Sequence, residues 1–207
     1  TSAYVCLPDA PNGKAVIVIH EWWGLNEHIK DIAGRYAAEG FIAVAPDLYR
    51  GKIATDPTEA SELMNGLAIE DGIETIRCAI QDASAKYDVS HFGVTGYCMG
   101  GTYALRAACE VDGVSAAAAF YGDTPNDGIL EKLSVPTLFI SGTRDEWISP
   151  DKVAKLEDAV ARFELPLTSV KYDADHAFFN DTRPEVYDES SARDAWALVT
   201  GIFNDKL

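Results

Sequence analysis

Residues 92–101 read Phe-Gly-Val-Thr-Gly-Tyr-Cys-Met-Gly-Gly, and a helical stretch from Thr102 to Cys109 follows them. Phe92 to Thr95 reads as a short strand. Gly96 to Gly100 is therefore a G-x-C-x-G set between a strand and a helix. This is the pattern of a nucleophile elbow, with Cys98 in place of the usual Ser. The turn is tight and strained, and neighbouring side chains would clash where strand and helix cross, which explains the glycines. The helix N-terminus beneath Cys98 offers partial positive charge and free N–H groups, which favour a thiolate. A phosphate-cradling loop, the other use of such glycines, calls for a Lys, and Thr102 arrives without one. No second G-x-[SC]-x-G occurs in the chain.

The flanking sequence alternates strands and helices. Ala15 to Ile19 (AVIVI) and Phe41 to Ala45 (FIAVA) are continuous apolar runs, as expected of strands buried on both faces of a parallel sheet. Val114 to Phe120, Pro136 to Ile140 and Thr168 to Tyr172 add three more strands. Helical spacing spans Glu27 to Glu39, closed by Gly40, then Asp71 to Tyr87 and Lys152 to Phe163. Pro184 suits the first turn of a last helix in which Trp196, Val199 and Phe203 share a face. There is no repeat and no linker, so residues 1–207 are expected to form one α/β domain, a mainly parallel sheet with helices on both faces.

In such a sheet, ligands bind outside the carboxyl ends of the strands. The fifth of these strands runs into Ser141-Gly142-Thr143-Arg144-Asp145-Glu146, the sixth into Asp173-Ala174-Asp175-His176-Ala177-Phe178. With Cys98 as nucleophile, chain order requires an acid and then a base. Asp145 fits the acid, with Glu146 its local rival. Of four histidines only His176, 31 residues on, follows the acid at a strand end. His20 ends a strand, His28 begins a helix and His91 lies in a polar stretch. His20-Glu21 opens like H-E-x-x-H, but the fifth position is Gly24, so no metal site is expected. The early loop His20-Glu21-Trp22-Trp23-Gly24 would supply the second oxyanion donor, the N–H of Trp22, beside that of Met99. Trp22, Trp23, Tyr49, Tyr121 and Phe178 are candidate walls of a substrate pocket.

Composition narrows the partners. The 33 acidic and 17 basic residues leave a net charge of −16, which argues against nucleic acid and anionic membrane surfaces. The longest apolar runs are too short to span a bilayer, and no basic-then-apolar leader opens the sequence. Four cysteines without a C-x-x-C are too few for a disulfide framework, so a reducing, cytoplasmic setting is expected. Cys6, Cys78 and Cys109 sit among apolar neighbours and read as small buried hydrophobes.

Taken together, His20 to Leu25, Ala45-Pro46-Asp47-Leu48-Tyr49, the Cys98 turn, Asp145 and His176-Ala177-Phe178 resemble the dienelactone hydrolase family, the cysteine branch of the α/β-hydrolases. The resemblance implies a triad of Cys98, Asp145 and His176. It also implies a carboxylate, Glu21, that contacts the resting thiol and moves away when substrate binds. No cofactor is implied. The chain departs from the family pattern in its arginines. Family members that open dienelactones carry one four residues after the catalytic histidine, where this chain has Asn180, and Gly51 to Glu70 holds no arginine. Arg183, Arg50 or Arg144 would have to replace them. A neutral ester is as much an expectation as a carboxylate-bearing lactone.

The expected activity is hydrolysis of a small ester or lactone through a thioacyl-enzyme, by a monomer or small homo-oligomer. The alternative is a non-catalytic protein that uses Cys98 as a redox-sensing thiol.

Overall fold

The structure is a computed structural model that describes residues 2–207. It contains a seven-stranded sheet. The strands are Ala3–Cys6 (β1), Ala15–Ile19 (β2), Ile42–Pro46 (β3), Phe92–Tyr97 (β4), Val114–Phe120 (β5), Thr137–Gly142 (β6) and Leu167–Tyr172 (β7). Their order is β1-β3-β2-β4-β5-β6-β7. Only the β1–β3 pair is antiparallel. The helices are Glu27–Ala38 (α1), Pro57–Gly66 (α2), Ile69–Tyr87 (α3), Met99–Glu110 (α4), Asp127–Leu130 (α5), Pro150–Phe163 (α6) and Glu189–Lys206 (α7). On one face, Tyr36 of α1 packs against Trp196 and Phe203 of α7. On the other, α3 lies so close to α4 that a Cβ at Gly72 would strike the Tyr103 ring.

The continuous apolar strands are buried throughout, as their lack of alternation requires. Three expectations change. Pro184 lies outside the last helix, which begins at Glu189 because Asp188 caps it by accepting the N–H of Ser191 at 2.8 Å. Cys78 is exposed and Cys6 and Cys109 are only half-buried. Cys78 falls off the Ile73–Ile76–Ile80–Ala83 stripe that α3 turns to the core, so apolar neighbours in sequence did not bury it. The short elements β1, α2 and α5 were not expected at all.

The sheet order reverses at β2, from which the chain first steps to β3 and then returns to β4 on the other side. The carboxyl ends of β2 and β4 therefore flank the crevice where such sheets bind ligands. Helix α4 crosses there at very short range. A Cβ on Gly100 would lie 2.3 Å from the Ile19 carbonyl oxygen and 2.6 Å from that of His20, and one on Gly96 would lie 2.0 Å from the Gly100 oxygen. Backbone on both sides cannot yield as a flexible side chain would. Gly100→Ala is expected to cost about 3 kcal/mol or more in a urea unfolding curve. Gly34→Ala, in mid-helix with nothing within 4 Å, is expected to gain ~0.5–1 kcal/mol.

Candidate active site

Cys98 follows β4 and immediately precedes α4, with φ 54° and ψ −116°. A non-glycine residue reaches this conformation at a cost of ~1–3 kcal/mol, and only where its surroundings enforce it. Here the ladder enforces it from the N-terminal side, the Cys98 N–H donating to the Phe120 carbonyl at 3.0 Å. The thiol is buried. Burial, and then the nearby Glu21 carboxyl, push its pKa up to about 12. The backbone N–H groups of Met99 and Trp22 work the other way. The two expected oxyanion donors, from two chain segments, thus both favour a negative charge on Cys98.

Glu21 is 2% exposed, and burial pushes its carboxyl up to about 7 against the opposing pull of His176, Arg183 and Asn180. Asn180 Nδ2 donates to its Oε2 at 2.9 Å. The residue that stands in place of an arginine therefore still reaches Glu21, as a neutral amide.

Asp145 and His176 meet on the turns after β6 and β7. Their Oδ2–Nδ1 distance is 2.6 Å. The other carboxylate oxygen accepts the N–H groups of Trp147 and Ile148, each at 2.8 Å. Burial acts to raise the Asp145 carboxyl, but His176 and these two N–H groups outweigh it and hold it below the usual carboxylate value. The remaining ring nitrogen, His176 Nε2, is buried without a hydrogen-bond partner. Glu146, the local rival, is exposed.

The other histidines have different work. His20 Nε2 accepts the Leu48 N–H at 3.1 Å while Nδ1 meets the Glu21 carbonyl at 2.6 Å, so Nδ1 carries the hydrogen and the ring ties two strand-end loops together. Burial lowers its pKa to about 4, so it stays neutral. His28 is buried 3.4 Å from Asp181, and His91 bonds Ser115 at the surface.

Two cavities open beside Cys98 and share Cys98, Trp147 and His176. One, of about 200 Å3, is lined chiefly by Met64, Leu67, Ile69, Met99, Tyr103, Tyr121 and Ile148. The other, of about 460 Å3, has Glu21, Trp22, Trp23, Arg144 and Arg183 on its wall. Tyr49 and Phe178, expected as walls, line neither cavity. Tyr49 stands behind Met99 and donates to its sulfur at 3.2 Å, and Phe178 is fully buried against Tyr121 and Tyr172. Arg50 also lines neither, while Arg144 pairs with Asp173 and Asp175 and Arg183 with Glu185. Sequence reasoning missed Trp147, whose ring stacks on His176 at 5.4 Å, and the α2–α3 junction that walls the small cavity. The only signal for Trp147 was its place two residues after the acid.

Residues 1–207 match the profile of the family described as "Dienelactone hydrolase family". "Protein usf" of Aquifex pyrophilus is 37% identical over 208 residues, covering 94% of this chain and 89% of that protein. A protein of Aquifex aeolicus named "Putative carboxymethylenebutenolidase" is 35% identical, with the same coverage of 94% and 89%. A solved structure described as "Putative Dienelactone Hydrolase" from Klebsiella pneumoniae superposes with a TM-score of 0.90 at 30% identity, over 98% of this chain and 92% of that one. The sequence over its whole length, the sheet order and the strand-end residues agree: this chain is a member of the dienelactone hydrolase family and carries the α/β-hydrolase fold.

Proposed function

We propose that residues 1–207 form one hydrolase domain that cleaves a small ester or lactone through a thioester on Cys98, with Asp145 and His176 completing the triad. One observation carries this reading. A cysteine in the elbow conformation lines the same two cavities as a histidine whose one nitrogen is held by a buried carboxylate and whose other has no hydrogen-bond partner.

At rest the thiol is protonated, because burial and Glu21 both oppose its ionisation. When a substrate enters and Glu21 swings away, His176 Nε2 takes the thiol proton and the sulfur attacks the ester carbonyl. The oxyanion is held by the N–H groups of Trp22 and Met99, a contribution of ~3–4 kcal/mol per donor in comparable enzymes. The imidazolium then gives its proton to the departing alkoxide. Water, deprotonated by the same nitrogen, attacks the thioester carbonyl, and the collapsing intermediate expels the Cys98 thiolate. Asp145 holds the Nδ1–H tautomer and stabilises the ring's charge throughout. The redox-sensing alternative calls for an exposed thiol of low pKa, and Cys98 is 7% exposed with its pKa pushed the opposite way.

Cys98→Ala and His176→Ala are each expected to lower kcat/KM for p-nitrophenyl acetate by about a thousandfold or more, with the double variant hardly worse than either. A Cys98→Ala enzyme that still hydrolyses p-nitrophenyl acetate at the wild-type rate would overturn the reading.

Glu21 has a signature in stability. Its pKa rises from 4.5 to about 7 on folding, so the folded chain binds this proton more tightly than the unfolded chain does. Its contribution is complete below the unfolded value and declines as pH rises to 7. Glu21→Gln cannot ionise. It is expected to be more stable than wild type at pH 8, by up to about 3 kcal/mol, and to match it near pH 4.5. Urea midpoints at the two pH values test this, and a wild type that is the more stable at pH 8 would contradict it.

A further inference from the structure

The two cavities beside Cys98 differ in chemistry. Nearly every side chain around the small one is apolar or an uncharged tyrosine or threonine. Besides Cys98 and His176, which both cavities share, the charged side chain there is Asp123, whose Oδ1 is 2.8 Å from Lys152 Nζ, and Lys152 does not line the cavity. The large cavity holds both arginines of the site and the exposed Arg144, Glu146 and Asp175, so it opens to water. Trp147 stands between the two. Its ring stacks on His176 with planes 28° apart and meets the edge of Trp22 at 5.9 Å, while its backbone N–H donates to Asp145 Oδ1.

We propose that Trp147 divides the site into an acyl lobe and an alcohol lobe, and that the substrate is an open-chain ester with an uncharged, apolar acyl group. This rests on the ester-hydrolase reading above. During turnover the acyl group stays attached to sulfur while the alcohol leaves and water arrives. The apolar lobe suits the part that stays, and the lobe lined by charged side chains suits the exchange. An acyl carboxylate would meet the Asp123 carboxylate and no arginine or lysine, and burying it without such a partner is costly. At the ~30 Å3 that a water-sized group occupies, the 200 Å3 of the small lobe holds about six heavy atoms. Trp147 and Leu67, the residue that follows α2, both line that lobe and set the limit.

The test is kcat/KM across p-nitrophenyl esters from acetate to decanoate, and for the hemiglutarate, with wild type, Trp147→Ala, Leu67→Phe and Cys98→Ala. In wild type, kcat/KM should climb about fourfold per methylene, the equivalent of ~0.8 kcal/mol each, to an acyl chain of about six heavy atoms, then fall. The hemiglutarate should lie about tenfold or more below the neutral ester of equal length. Trp147→Ala, at a position 42% exposed, should lose the fall at long chains, through KM more than kcat. Leu67→Phe should move the maximum to shorter chains. A flat profile, an unmoved maximum in both variants or a preference for the anionic acyl group overturns the inference, while Cys98-dependent hydrolysis would still stand. Activity that survives Cys98→Ala overturns the underlying reading and this inference with it.

Discussion

Gly100 lies against the carbonyls of Ile19 and His20, and this contact between two backbones decides where everything else at the site can be. It drives the N-terminus of α4 against the end of β2, so that the N–H groups of Met99 and Trp22, far apart in sequence, both favour a negative charge on Cys98. It also brings Glu21 to the same spot, because Glu21 follows directly on the carbonyl that Gly100 touches. The strained Cys98 dihedrals follow from that crossing, since the chain must turn from strand to helix within one residue. Cross-strand packing then carries the constraint to β6 and β7, whose turns bring Asp145 and His176 to the same end of the sheet.

The charges at the site are arranged against the charge of the whole. A chain of net charge −16 buries the Glu21 carboxyl beside a thiol, and burial raises its pKa to about 7, so it is far less ionised at neutral pH than an exposed glutamate. Asn180 supports this better than an arginine would. An amide stabilises the carboxyl in either protonation state, whereas a guanidinium would fix it as an anion and raise the thiol further. The departure from the family's arginine pattern therefore alters the resting environment of Glu21.

Much of this was legible in the sequence, for identifiable reasons. The apolar runs at Ala15 to Ile19 and Phe41 to Ala45 announce buried parallel strands because nothing in them is compatible with water. The order Cys98, Asp145, His176 was readable because each residue lies just past a strand end. Elements without periodicity stayed hidden. β1 is a four-residue edge strand, mostly exposed, that exists because β3 offers it a ladder. Trp147 was not visible as a site residue either. An exposed tryptophan in a turn has no pattern, and its position depends on a hydrogen bond to a side chain. Tyr49 and Phe178 show the converse error. Aromatic residues next to motif residues look like pocket walls, but two of them face inward and support the residues that do form the wall.

Asp145 spends its two oxygens differently. One faces a ring nitrogen and the other two backbone N–H groups, all of them donors. An asparagine of the same shape offers only one acceptor. Its amide would either oppose the N–H groups of Trp147 and Ile148 or force the His176 ring into its other tautomer. Asparagine, the nearest residue in shape, therefore cannot take the place of Asp145. Glu146, a residue away, is exposed, whereas the one side chain of Asp145 holds both the His176 ring and the backbone of Trp147, which lines both cavities.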